Sequence, residues 1–244
     1  MRVPRAYIDA ELAVGGHVAL PAATAHHFLR VLRLPDGAAI RLFNGAPGDW
    51  HGQLMVTGKQ RASAQIVSFE ASATESPLEL TLVQGISRGQ RMDYTLEKCV
   101  ELGVHHVIPV VMERTQAAPA GERIVKKARH WQGVIAAAAA QSGRTRLPSL
   151  APQSGFGEWL AQADATATPH VLLDPLADHG PGGIAATTAA TLIAGPEGGF
   201  SPGERDRAYL AGCQGMRLGP RILRTETAAV ATLAVLQGLY GDLG

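Results

Sequence analysis

The sequence predicts an α/β fold with a mainly parallel sheet over residues 73–244, preceded by a small β-rich module over residues 1–72. Three observations carry this. From Leu78 onward, short apolar runs alternate with segments of helical periodicity, the rhythm of strands joined by crossover helices. Before that point, short near-alternating runs are bounded by Gly, Pro and Asp, as strands between tight turns are. And 244 residues, 46% of them hydrophobic, are enough chain to bury a core without disulfide or metal staples.

In order along the chain, "TAHHFLRVLRL" predicts a short helix, with Thr24 as N-cap and Phe28, Val31 and Leu32 at helical spacing. "LPDG" and "NGAPGD" are turns. "AAIRLFNG", "DWHGQLMVTG" and "ASAQIVSFEA" are strands. "ASATESPLEL", small and polar with Pro77 near its end, is a linker.

After the linker, "LELTLVQG" is a strand. "RMDYTLEKCVELG" is a helix with Met92, Leu96, Cys99 and Val100 on one face and Gly103 as its stop. "HHVIPVVM" is a buried strand and "GERIVKKARHWQGVIAAAAAQSG" a long helix. Next come the strand "HVLLDP", the strand and turn "TLIAGPEGGF", the helix "SPGERDRAYLAG", the short strand "MRLGP" and the closing helix "TETAAVATLAVLQGLYG". Asp93, Glu97 and Glu101, four apart, form a solvated stripe.

Composition excludes several classes. No apolar stretch reaches membrane-spanning length, and the N-terminus has no signal-peptide pattern. Cys99 and Cys213 are far apart in apolar surroundings, as free buried thiols of a reducing cytoplasm are. The adjacent pairs His26-His27 and His105-His106 lack metal-ligand spacing, so no metal is expected. At 5% aromatic residues, no stacking platform for single strands is indicated. The net charge is only +1, but Arg114, Arg123, Lys126, Lys127, Arg129, Arg144 and Arg146 face the single acid Glu122 within 33 residues. Such a stretch is either a polyanion-binding patch or a solvated helix face.

In parallel sheets, ligands bind beyond the carboxyl ends of strands. Three loops meet that rule: Asp174-Pro175, Gly195 to Phe200, and Gly219 to Arg224. In the middle loop, Ser201, Pro202 and Glu204 form a capping box with Pro in the first turn. The preceding glycines therefore lie at a helix mouth. Yet no lysine follows them, and Glu197 would repel a phosphate. The loop suits a ligand with a hydrogen-bonding edge and a positive centre, such as S-adenosylmethionine. The alternative is a tight turn whose glycines serve geometry alone. In the third loop, Arg221 and Arg224 precede a helix with Thr225 as its cap. Cations there oppose the helix dipole at a cost of a few tenths to ~1 kcal/mol each, unless an anion binds nearby.

At this point the motifs resemble a family. "IAGPEGGFSPGE" followed by "RLGPRILRTETAAVATLAVLQ" is similar to the RsmE family of 16S ribosomal RNA uridine-N3 methyltransferases, in the SPOUT superfamily. "RAYI", "HHFLRVLRL", "QGISRGQRMDYTLEKCVELGV", "ERT" at Glu113–Thr115 and "HWQGVIAAAAAQSGR" fall in the family's order. One departure is visible: Ala140 stands where the family often has Glu. The resemblance implies a PUA-like N-terminal domain and a SPOUT domain tied in a deep trefoil knot. It implies a cofactor site for S-adenosylmethionine at Leu173 and Asp174; Gly195, Pro196, Glu197, Gly198 and Gly199; and Leu218, Gly219, Ile222, Leu223 and Arg224.

Methyl transfer to uracil N3 needs alignment and stabilisation of charge on O2 and O4. Arg224 is the first candidate for the latter, with Arg114 and Arg144 next. Glu197 and Glu226 are the available carboxylates, each equally explicable as a structural cap. Expected RNA contacts are Arg30 and Arg33 in the first domain, then Arg114, Arg123, Lys126, Lys127, Arg129 and Arg144. The expected partners are 16S ribosomal RNA in the small subunit and a second copy of the chain, paired through the last helix in a cytoplasmic homodimer. Two other functions compete: a non-catalytic ribosomal RNA-binding protein, and a knotted ribose 2′-O-methyltransferase.

Overall fold

The computed structural model describes residues 3–116 and 118–244. They form two compact units: residues up to Glu75 together with Ala139–Leu147, and Ser76–Ala138 together with Pro148–Gly244.

The first unit contains β1 (Arg5–Tyr7), β2 (His17–Ala19), α1 (Ala22–His26), β3 (Ala39–Phe43), β4 (Gly48–Gly58) and β5 (Arg61–Ala71). The strands pair in the order β1-β3-β4-β5-β2, antiparallel except for β1 on β3. Alternation along β5 turns Ala62, Ala64 and Ile66 inward, where they meet Ile8, Phe28, Ile40, Leu42 and Leu54. The helix differs from expectation. Pro21 stands at the N-cap and Thr24 lies inside, and a π-helical turn follows at His27–Val31. The wider turn breaks the 3.6-residue register, so Phe28 is fully buried while Val31 and Leu32 face outward.

The predicted linker is also more than a spacer. Glu75 Oε2 accepts from Arg144 Nε at 3.0 Å and Nη2 at 2.6 Å, and Oε1 accepts the N–H groups of Thr145 and Arg146. Arg5 binds Asp49 and donates to the carbonyls of Ala139 and Arg144.

The second unit runs β6 (Glu79–Gly85), α2 (Gln90–Glu101), β7 (Val104–Val111), α3 (Glu122–Ser142), β8 (Ser149–Leu150), β9 (Ser154–Gly155), α4 (Phe156–Leu160), β10 (His170–Leu173), β11 (Ala189–Ala194), α5 (Pro202–Leu210), β12 (Gln214–Met216) and α6 (Thr225–Tyr240). Strands β12-β10-β11-β6-β7-β8 lie side by side, all parallel, with β9 also on β7. Covered on both faces, the central strands are nearly continuous in apolar residues: Leu80, Leu82 and Val83 of β6 and Leu192 and Ile193 of β11 have no exposure.

Helix α2 buries Met92, Leu96, Cys99 and Val100 as its spacing predicts. It stops at Gly103, whose φ of 83° is the left-handed region. Helix α6 packs on α2 and β11, burying Ala229, Thr232, Leu233, Leu236 and Gln237 along one face. Gln237 is satisfied there by Ser76 Oγ at 2.7 Å and the Leu102 carbonyl at 3.0 Å. No helix among the described residues is long and apolar enough to cross a membrane.

Candidate active site

Strands β12, β10 and β11 are neighbours, so the loops beyond their carboxyl ends meet. Together they line a cavity of about 600 Å³.

The first loop turns at Asp174. Its Oδ1 accepts the Leu176 N–H at 2.9 Å, and its Oδ2 accepts the Tyr209 hydroxyl at 2.8 Å. Arg205 stands 3.9 Å from the same oxygen. Burial, reinforced by the Asp174 carboxylate, pushes the Tyr209 phenol up to about 12, so it stays a donor. Gly215 on β12 leaves the space its hydroxyl occupies; any Cβ there would strike it.

The second loop is a tight glycine turn. Gly199 has a φ of 67°, which favours glycine. The capping box expected ahead of α5 is formed: Glu204 N–H donates to Ser201 Oγ at 3.1 Å, and Ser201 N–H to Glu204 Oε2 at 2.9 Å. Glu204 has a second task, since its Oε1 accepts the Glu113 N–H at 2.8 Å. That bond brings the segment carrying Arg114 to the loop. Arg114 donates to the Gly198 carbonyl at 3.0 Å, and a Cβ at Gly198 would lie 2.8 Å from Arg114 Cβ. The need for glycine at 198 is therefore met within the chain itself, between the loop and Arg114.

Glu197 explains the carboxylate among the glycines. Its Oε1 accepts the Arg88 N–H at 2.7 Å and Arg91 Nη1 at 3.2 Å. Arg91 Nε also stands 3.8 Å from Glu226 Oε1. Burial alone would raise the Glu197 pKa, but the Arg88 and Glu197 N–H groups and the Arg91 guanidinium outweigh it and hold the carboxyl below its ordinary range. The other oxygen of each carboxylate, Oε2 of Glu197 and of Glu226, is buried without a hydrogen-bond partner.

The third loop ends at Arg224, which takes the N-cap position of α6. Thr225 is the first helical residue rather than the cap. Its hydroxyl donates to the Gly195 carbonyl at 2.5 Å and accepts from Gln84 Nε2 at 3.0 Å, tying the second and third loops to the end of β6.

Of the residues expected at the cofactor site, all but Gly219 line the cavity; Gly219 is exposed, with a φ of 70°. Arg114 and Arg224 line it too. Arg144 does not. It is 4% exposed and committed to Glu75, which corrects its assignment both to substrate charge and to RNA contact. Arg30 and Arg33 are exposed on the first unit, and Arg123, Lys126 and Arg129 are exposed on α3. Lys127 is half-buried over the Trp131 ring.

Arg91, Arg205 and Tyr209 were not anticipated. A cation at 91, in the first turn of a helix that follows a strand, is the available signal for the first. Asp93 is drawn out of its expected solvated stripe to His130, at 2.8 Å, while Glu97 and Glu101 share Lys98. Among the described residues, no group of three or more His, Cys, Asp or Glu could hold a metal ion.

The family model described as an RNA methyltransferase domain matches residues 74–237, and that of an RNA methyltransferase PUA domain matches residues 20–67. The chain is 39% identical to a ribosomal RNA small subunit methyltransferase E from Neisseria gonorrhoeae solved with bound S-adenosyl methionine, with both chains fully covered and a TM-score of 0.94. A putative methyltransferase from Legionella pneumophila, in complex with the same cofactor, is 33% identical, also over the whole of both chains, with a TM-score of 0.94. The ribosomal RNA small subunit methyltransferase E of Buchnera aphidicola is 28% identical over 99% of this chain and 98% of its own. With these likenesses spanning the motifs and the whole length, the chain belongs to the ribosomal RNA small subunit methyltransferase E family of RNA methyltransferases.

Proposed function

We propose that the protein methylates N3 of a uridine in 16S ribosomal RNA, taking the methyl group from S-adenosylmethionine. The observation that carries this is the convergence of three strand-end loops on one cavity whose wall combines glycines and apolar side chains with arginines and the carboxylates of Asp174, Glu197 and Glu226. Its residues suit that cofactor. Leu173, Leu218 and Leu223 offer an apolar slot for adenine, beside the backbone of Gly195–Gly199. The unpaired Oε2 atoms of Glu197 and Glu226 can accept from donors or lie near a positive centre. Gly219 shapes the third loop from outside the wall.

The bound cofactor supplies a methyl already activated by its sulfonium. The chain's contribution is position and charge. Holding N3 in line can itself account for ~7–11 kcal/mol of the barrier. N3 gives up its proton to water, the new N3–carbon bond replaces the methyl–sulfur bond, and Arg224 and Arg114 stabilise the negative charge that develops on uracil O2 and O4. Both glutamates are engaged by Arg91, and no general base is assigned to either.

Arg30 and Arg33 on the first unit, with Arg123, Lys126, Lys127 and Arg129 on α3, meet the RNA of the small subunit in the cytoplasm. The 1–72 segment serves as the RNA-binding domain and 73–244 as the knotted catalytic domain. A second copy pairs through the face of α6 opposite its buried stripe, where Val230, Ala231, Ala234 and Val235 are half-exposed. Leu233 has no exposure, so a charge there would damage the fold; Val235→Glu tests pairing instead. Light scattering should show monomers with reduced activity, and a fully active dimer of that variant would refute the pairing.

The central test is calorimetry with S-adenosylmethionine, followed by mass mapping of 16S ribosomal RNA after incubation with both. One base-methylated uridine is expected. No cofactor heat, or a methyl on ribose, sinks the proposal. Gly198→Val, forced against Arg114, should weaken cofactor binding at least about tenfold, ~1.4 kcal/mol.

A further inference from the structure

Six arginines line the cavity: Arg91, Arg114, Arg205, Arg217, Arg221 and Arg224. Two have acidic partners, Arg91 with Glu197 and Glu226 and Arg205 with Asp174. For the other four, no carboxylate lies within 4.0 Å among the described residues. Arg114 is held by the Gly198 carbonyl, and Arg217, Arg221 and Arg224 fall within eight residues just ahead of α6.

That is an unfavourable place for cations. The N-terminal end of a helix is itself positive, and four uncompensated guanidinium groups around one opening repel one another. Water and salt screen these exposed groups in part, and an anion with several charges would relieve the crowding further. The rim carries a second feature. Leu176 and Ile222 line the same cavity, yet are 72% and 85% exposed. Large apolar side chains between cations suit a polyanion that also has flat apolar faces. A free phosphate lacks the faces, and a stacked duplex hides them.

We infer that Arg217 and Arg221 grip the phosphates on either side of the nucleotide that enters the cavity, leaving Arg114 and Arg224 to the base itself, and that Ile222 and Leu176 support an adjacent unstacked base. This rests on the RNA methyltransferase reading and adds a strand-specific contact to it. The rim accepts single-stranded RNA, and a paired target has to open before it can be held.

The double variant Arg217→Ala/Arg221→Ala isolates the rim from the residues placed in the catalytic machinery. Binding of a 16S ribosomal RNA transcript is measured across a potassium chloride series, alongside calorimetry with S-adenosylmethionine. Losing two single-strand phosphate contacts should lower the salt slope by about 1.4. The KM for RNA should rise while kcat and cofactor affinity stay within about twofold. Arg217→Lys/Arg221→Lys should restore the slope, because the point charge is kept.

An unchanged slope and KM in the alanine variant overturn the inference, and the function stands if that variant still methylates. A lost dimer with an unchanged slope identifies the rim as a protein contact instead, and also overturns it. If the native protein shows the steep, rim-dependent slope but transfers no methyl group, the rim stands and the proposed reaction falls.

Discussion

Glu75 in the first unit and Glu197 in the second each hold an arginine, and the difference between them separates a structural ion pair from a site. Glu75 uses both oxygens. Arg144 Nε and Nη2 bind one, and the Thr145 and Arg146 N–H groups bind the other. Glu197 uses one oxygen, shared by Arg88 and Arg91, and leaves the other buried and unpartnered. In both, burial opposes ionisation and hydrogen bonds overcome it, chiefly from the Arg144 side chain at Glu75 and chiefly from the Arg88 and Glu197 N–H groups, ahead of Arg91, at Glu197, so both carboxyls titrate below their ordinary range. Charge alone does not distinguish them. Unused acceptor capacity beside the cavity does, because a buried lone pair without a donor carries a desolvation cost that a ligand or an ordered water relieves.

The largest effect follows from breaking the saturated pair. The Arg144 side chain is 5% exposed and that of Glu75 18%. Arg144→Ala should therefore leave Glu75 as a half-buried carboxylate held only by the Thr145 and Arg146 N–H groups, at a cost of ~3 kcal/mol, the low end for breaking a buried pair. A urea midpoint measures it. Cofactor heat per mole of folded protein should be unchanged, because Arg144 lies outside the cavity wall. A small stability loss with abolished cofactor binding would reverse the assignment of the two pairs.

The same pair marks where sequence reading stops. Strong periodicities transferred well: the buried face of α2, the Ser201–Glu204 capping box and the strand-end loops all follow local rules of spacing and capping. All but one of the residues that the family resemblance implies for the cofactor line the cavity, and they make up about half of its wall. What failed was long-range. Arg144 reads as one of seven cations in a basic stretch, and nothing local signals that Glu75, 69 residues away, neutralises it. Thr225 has the residue type of a cap, but tertiary bonds to Gly195 and Gln84 claim its hydroxyl. Likewise, Phe28, Val31 and Leu32 have helical spacing, and the π-helical turn that parts them depends on packing. Arg91 has only a weak local signal because a helix-surface arginine is the commonest of residues until a loop carboxylate, Glu197, and one from the first turn of α6, Glu226, converge on it.

Removing Arg91 probes the unsaturated constellation. Its side chain is 45% exposed, so Arg91→Ala should cost little stability, on the order of 0–1 kcal/mol. Function should suffer more. Two neighbouring carboxylates lose the cation between them, and the second and third loops lose their electrostatic tie to α2. Methyl transfer is expected to fall about 10–100-fold, ~1.4–2.8 kcal/mol, with the larger part in cofactor affinity. Arg91→Lys should recover part of the loss, since a point charge replaces one bond but not the fork. An Arg91→Ala enzyme with native cofactor affinity would show that Glu197 and Glu226 need no partner. The unpaired oxygens would then be incidental.

The smallest effect is a titration. Both carboxyls have folded pKa values below the unfolded value of about 4.5. Their stabilising contributions are therefore complete above about pH 4.5 and vanish as pH falls through the lower, folded value. A tenfold difference in proton affinity between the folded and unfolded chain is worth ~1.4 kcal/mol. Glu75→Gln removes the contribution of the buried pair, so the stability gap between native protein and variant should be widest near pH 7 and narrow steadily below pH 4.5. Glu197→Gln should open a smaller gap over the same range, because Arg91 is half in water and its pairing is screened. Added salt sharpens the contrast: the Glu197 gap should close further with salt while the Glu75 gap holds. Gaps of equal size and equal salt response would mean that the two arginine–glutamate pairs are energetically alike, leaving only the spare oxygen of Glu197 to tell site from scaffold.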